Sequence, residues 1–286
     1  MKHIKYFLQF LFISCLLIFF MIIGLKFSRI IAGKLFSTFG PFFRSKKVIE
    51  KNISFAFNES DKKFKEVIID NMWKSYGKIL AEYVFMKYFR KIESEKFLEI
   101  KGQEILEKIK LSTDPVIFVS GHFDNFELMA MHIEKSGVDL AAIYRPLNNN
   151  FLSPMMENIR KKYICRKQIK KGISGTKEIL KYFKSGTSIA LMIDQRVSEG
   201  IKSVLFKNSA LTTTIPAQFV KKFNCKIVPV YIERTINSKF KLTIYKPLEY
   251  SKHETIESIT TNLNELLEKL ILKNPEQWIW SHNRWK

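Results

Sequence analysis

The sequence predicts an α/β domain with a mostly parallel central sheet flanked by helices, carried behind one N-terminal transmembrane helix. Three features predict it. Beyond residue 115, short apolar runs of strand length alternate with longer runs whose apolar positions recur at helical spacing. The strand-like runs are apolar throughout rather than at every second residue, as expected of strands covered on both faces. Near the start, a stretch from Phe7 to Leu25 has Gln9 as its one strongly polar residue and no charge before Lys26. No internal repeat or low-complexity linker interrupts the remainder. The chain therefore divides into an anchor with an interfacial segment (1–44) and a single domain with a helical prefix (45–286).

The apolar stretch holds about 19 residues, which at ~1.5 Å each span ~28 Å, close to the hydrocarbon thickness of a bilayer. A cleaved signal peptide is the competing reading, because Lys2 and Lys5 precede it. The run exceeds an ordinary h-region, and Lys26 and Arg29 follow where a small-residue cleavage site would stand, so an uncleaved anchor is expected. Lys26, Arg29, Lys34, Arg44, Lys46 and Lys47 outnumber Lys2 and Lys5, which places the domain on the cytoplasmic side. Ile30 to Phe43, with Phe36, Phe39, Phe42 and Phe43, extends the helix along the interface.

Ser45 to Phe55 and Asp61 to Phe89 read as amphipathic helices. Candidate strands follow at Val116–Val119, Asp139–Tyr144, Thr187–Ile193, Lys226–Ile232 and Lys239–Tyr245, the last an antiparallel hairpin partner after a short Asn-Ser turn. Candidate helices are Asn125–Lys135, Asn150–Lys162, Ser174–Phe183, Thr214–Phe223 and Glu254–Leu272. Hydrophobic residues make up 46% of the chain, enough to fill a core of this size.

A formal net charge of +21 implies an anionic partner: nucleic acid, a phospholipid surface, a phosphorylated lipid or an acidic carrier protein. Part of the excess is lysine in a chain also rich in Ile, Asn and Phe, so some of it is solvated surface. The three cysteines, Cys15, Cys165 and Cys225, form no CxxC pattern and imply neither a zinc site nor a disulfide framework.

The most informative stretch runs from Pro115 to Glu127. Its apolar strand is broken by Gly121 and followed by a helical pattern, so His122 and Glu127 fall where a strand hands over to a helix. That is the edge at which parallel sheets place their chemistry. On one regular helix, residues five apart point roughly 140° away from each other. With His122 still in the turn, the Glu127 carboxylate can fold back on the imidazole and orient it as a base. The competing reading is a helix capped by Asp124 with an incidental histidine. Three more clusters follow strands: Tyr144-Arg145-Pro146, Asp194-Gln195-Arg196 and Thr212 to Pro216, whose threonines offer an anion-friendly helix start. Together they form the expected rim of an active site.

Gly121-His-Phe-Asp-Asn-Phe-Glu127 resembles the histidine–four residues–carboxylate signature of glycerolipid and lipid A acyltransferases, and more narrowly the GHFGNWE form of the late (Kdo-dependent) lipid A acyltransferases. Tyr144-Arg-Pro146, Asp194-Gln195, Ile227-Val-Pro-Val230 and the ending Pro275 to Lys286, similar to PEQYxWxHRRFK, fall in that family's order. Asp124 stands where the family usually has Gly, Phe126 where it usually has Trp, and Asn283 where an Arg is common. The resemblance implies a glycerolipid acyltransferase-like fold at the cell inner membrane. It also implies transfer of a fatty acyl chain from acyl carrier protein to a hydroxyl of a lipid A precursor, an anionic lipid, with no metal and no bound cofactor. His122 would be the general base and Glu127 its orienting acid. Arg145, Asp194, Asn125 and Arg196 would bind substrate.

A glycerolipid, ornithine-lipid or other glycolipid acceptor is the nearest alternative. Ser120 as an acyl-enzyme nucleophile lacks the G-x-S-x-G elbow. A phosphoesterase reading takes His122, Asp124 and Glu127 as metal ligands. A membrane-tethered binder of anionic ligands rests on charge alone, and no helix-turn-helix, zinc finger or RNP motif points to nucleic acid.

Overall fold

A computed structural model of the chain describes residues 2–57, 61–93 and 96–286. Its centre is a seven-stranded sheet in the order β1-β9-β8-β2-β5-β3-β4. The strands are β1 (Leu98–Lys101), β2 (Ile117–Ser120), β3 (Leu140–Tyr144), β4 (Lys167–Lys170), β5 (Ser188–Met192), β8 (Ile227–Arg234) and β9 (Phe240–Ile244). All neighbours pair in parallel except β8 and β9, which form the expected antiparallel hairpin. β6 (Ile201–Leu205) and β7 (Asn208–Thr212) form a separate antiparallel ribbon, so the Thr212 to Pro216 cluster leaves that ribbon and not the main sheet.

Helices α5 (Gln103–Leu111), α6 (Glu127–Lys135), α7 (Leu152–Ile159), α8 (Ile173–Lys184), α9 (Ile215–Phe223) and α10 (Ile256–Lys273) flank the sheet. Every residue of β2 is buried, and β8 is buried from Ile227 to Ile232, which is why both read as continuous apolar runs. α7 does not run on to Lys162 as a regular helix: Arg160–Ile164 is a π-helical turn.

Ahead of the sheet stand α1 (Lys2–Phe39), α2 (Lys46–Ala56), α3 (Lys62–Glu82) and α4 (Met86–Lys91). Among the described residues, the helix begun by α1 is the one long and apolar enough to cross a membrane. It is kinked at Gly24, whose φ of 77° glycine adopts freely. Ser28 Oγ donates to the carbonyls of Phe20 (2.8 Å) and Gly24 (2.7 Å), supplying partners where the regular ladder breaks. Beyond the kink α1 packs along α3. A Cβ on Gly77 would overlap the Ala32 carbonyl, and one on Gly40 would meet the Trp73 ring, so small residues set this close approach. The boundary expected near residue 44 is thus not a packing boundary: Leu25 and Phe36 belong with the domain core. Before the kink, α1 touches the domain through Asn149, whose Nδ2 donates to the Tyr6 carbonyl (2.9 Å), and through Phe7 against Phe151 (5.5 Å between centroids).

Candidate active site

β2 and β5 are parallel neighbours with Ser120 opposite Met192. Two residues further along each chain, the same register brings His122 to Asp194. His122 Nδ1 and Asp194 Oδ1 lie 2.8 Å apart, and the His122 backbone N–H donates to Asp194 Oδ2 at 2.7 Å. The indole N–H of Trp278 donates to the same Oδ2 at 2.9 Å. Asp194 has no exposed surface. Burial alone would raise its carboxyl, but the charge and hydrogen bonds of His122 and the Trp278 indole outweigh it and hold the group below the ordinary carboxylate value. An ionised Asp194 can only accept, so Nδ1 bears a proton toward it, and in the neutral form of the ring the lone pair then sits on Nε2.

His122 lines an apolar cavity of about 260 Å³. Phe36 of α1, Met72, Tyr76, Ile79 and Leu80 of α3, and Phe126, Trp278 and Ile279 supply much of its wall. The Phe126 ring meets the imidazole edge-on at 4.7 Å. The loop carrying His122 is braced by the C-terminal segment: Asp124 N–H donates to the Gln277 carbonyl (2.8 Å), and Phe123 bridges Trp278.

The carboxylate that holds His122 is therefore Asp194, and the expected orienting role of Glu127 is corrected. Glu127, the first residue of α6, is turned to Arg160, accepting from Nε (2.8 Å) and Nη2 (2.6 Å), and to the Tyr83 hydroxyl. Burial would lower the Arg160 pKa, but Glu127 and Tyr83 together raise it, keeping the guanidinium charged. Burial and Glu127 push the Tyr83 phenol well up, so it stays a donor.

Asn125, expected to bind substrate, is fully buried and donates to Glu82 Oε2 at 2.6 Å. Asp124 is bound by Arg234 (2.6 Å). His122, Asp124 and Glu127 thus face three different partners, which removes the metal-ligand arrangement of the phosphoesterase reading. Ser120 Oγ donates to the Val230 carbonyl at 2.6 Å and is buried in the sheet. Arg145 lies exposed at the end of β3, on the same sheet edge but outside the cavity lining. Arg196 donates its backbone N–H to His282 Nε2 (3.0 Å), while its Nε is buried without a partner. Burial lowers the His282 pKa to about 4, so its Nε2 is free to accept that bond. At the third cluster, Thr212 Oγ1 is taken by Arg284 Nη2 (2.7 Å) and is not open to an anion.

Sequence reasoning missed Arg160, Tyr83, Trp278 as the partner of Asp194, and Arg234. Arg160 sits in an ordinary basic helical run, and nothing in its neighbourhood marks it. Trp278 lies within the C-terminal motif, but nothing there shows which carboxylate its indole meets.

Among proteins of known function, the chain is similar to the lipid A biosynthesis palmitoleoyltransferase of Escherichia coli (strain K12), 23% identical over 256 residues, covering 86% of this chain and 80% of that protein. It is also similar to the lipid A biosynthesis lauroyltransferase of the same strain, 23% identical over 255 residues and covering 85% and 79%. The solved 1-acyl-sn-glycerophosphate (LPA) acyltransferase PlsC from Thermotoga maritima aligns with 12% identity and a TM-score of 0.43, covering 90% of this chain and 100% of that one. The family model described as "Bacterial lipid A biosynthesis acyltransferase" matches residues 1–286, and the chain belongs to that family.

Proposed function

We propose that the protein transfers a fatty acyl chain from a thioester of acyl carrier protein to a hydroxyl of a lipid A precursor at the inner membrane. The observation that supports this most is a buried carboxylate aligning an imidazole that lines an apolar cavity. The cavity takes the acyl chain and leaves the thioester carbonyl near His122. The acceptor hydroxyl attacks that carbon as His122 Nε2 takes its proton. Asp194 stabilises the imidazolium so formed. The tetrahedral intermediate then expels the thiolate, which recovers the proton from Nε2, leaving an ester and a free thiol. A thioester is already activated, so the steps need neither a metal nor a bound cofactor. Such proton transfer contributes about 10²–10⁴ in rate.

Glu127 has a supporting place: with Arg160 it fixes Tyr83 at the cavity wall. Arg145 and Arg196 stand on the same sheet edge as His122 and suit the anionic acceptor, while the basic surface receives the acidic carrier. The exposed face of α1, including Ile4, Leu8, Phe12, Ile18, Phe19 and Ile22, takes lipid and seats the domain on the cytoplasmic side.

Mass spectrometry of membrane lipids tests this reading. Cells making the protein are expected to hold a lipid A species heavier by one acyl group than cells without it; identical lipid profiles contradict the proposal.

A further inference from the structure

Two residues after His122, Asp124 adopts a φ of 32°, in the left-handed region that favours glycine. Its side chain is fully bound. Oδ1 accepts from Arg234 Nη2 (2.6 Å) and the Asn125 backbone N–H (2.7 Å), and Oδ2 accepts from Arg234 Nε (3.1 Å) and Ser75 Oγ (3.0 Å). Arg234, the last residue of β8, turns its other edge to Glu82, with Nη1 to Oε1 at 2.7 Å and Nη2 to Oε2 at 3.0 Å. Glu82 also accepts from Arg29 Nε of α1 (2.5 Å) and from Asn125 Nδ2 (2.6 Å). The main chain of Arg234 holds Gln277, donating to its Oε1 (2.7 Å) and accepting from its Nε2 (3.0 Å), and the Gln277 carbonyl receives Asp124 N–H.

One arginine therefore joins three parts: its guanidinium ties Glu82 of the α1–α3 pair to the His122 loop, and its main chain ties both to the C-terminal segment. Arg29 and Arg234 balance Glu82 and Asp124, which is what lets four charged side chains lie out of water together. The planar fork of arginine is the group that grips two carboxylates at once; a lysine ammonium lacks that geometry.

We propose that Arg234 is a positioning residue for transfer: by bridging Asp124 and Glu82 it holds the loop in the conformation that presents His122 to Asp194 and the cavity. The proposal rests on the reading of His122 as the base. Asp124 is the residue through which Arg234 acts, because its carboxylate takes two of the guanidinium's N–H groups while its left-handed backbone turns the loop two residues after His122.

The test uses full-length protein in detergent, a C12 thioester of acyl carrier protein as donor and a lipid A precursor as acceptor. R234Q, R234K, D124G, D124G/R234Q and H122A are compared, with rates taken per folded molecule. R234Q and D124G are each expected to lower kcat at least tenfold with the donor KM within about twofold. The double variant is expected within about threefold of the weaker single, and R234K is expected to fail to rescue. Losses that multiply in the double variant, a KM change without a kcat change, or near-normal turnover by R234K overturn the positioning role. Where R234Q does not fold, R234K and D124G decide the matter alone, near-normal kcat in either overturning it. H122A separates the two proposals: transfer surviving in H122A discards the base, whereas an inactive H122A with multiplying losses at Arg234 and Asp124 discards only the positioning role.

Discussion

Asp194 fixes the ring of His122, the proposed base, and the alignment depends on three donors converging on one buried carboxylate. Asp194→Asn keeps the shape but exchanges acceptor for donor at the imidazole and favours the wrong tautomer. It is expected to lower kcat by about 10²–10⁴ with little change in donor KM. Trp278→Phe removes one donor to a charged acceptor, worth ~1.5 kcal/mol, and is expected to cost about tenfold. Steady-state rates of the two variants check the order; a D194N enzyme faster than W278F contradicts it. At this scale the sequence was half legible. His122 was visible from its place after a buried strand, but its partner was sought five residues away in Glu127. The partner lies across a parallel strand pair, where residues distant in sequence meet, and only the register of β2 with β5 reveals it. The carboxylate at 127 is taken instead by an arginine from a separate helix, a competition the local sequence does not display.

Among the elements, the close contact of α1 with α3 positions the cavity, since both helices contribute wall residues. Gly77 permits that approach, because a side chain there would overlap the backbone of Ala32. Gly77→Val is expected to destabilise the protein by about 1–3 kcal/mol through overpacking and to reduce transfer as the wall shifts. Thermal melts in detergent check it; an unchanged midpoint would mean that α1 is not seated against α3. β2, β3, β5 and β8 were readable from their near-continuous apolar runs, and β9, buried at every second residue, from the Asn-Ser turn that precedes it. β1 and β4 were not: Leu-Glu-Ile-Lys and Lys-Gln-Ile-Lys are short, half polar and lie at the two edges of the sheet, where water reaches them. The β6–β7 ribbon turns through Phe206 and Lys207 at positive φ, without the Asn-Gly or Gly pair that ordinarily announces such a turn.

For the whole molecule, the His122 cavity and the long apolar helix share parts. Arg29 and Phe36 lie beyond the Gly24 kink on the same helix whose first half is apolar and largely exposed, and they reach respectively the buried charge cluster and the cavity wall. Composition pointed to an anchor and an anionic partner, but a division at residue 44 hid how far the apolar helix enters the domain, because helical periodicity says nothing of which neighbour a face meets. The most direct test of the central claim is acyl transfer from a carrier-protein thioester to a lipid A precursor by His122→Ala in membranes. The expected result is a loss of about 10²–10⁴ in rate with the protein folded and membrane-bound; near-normal turnover would contradict the account.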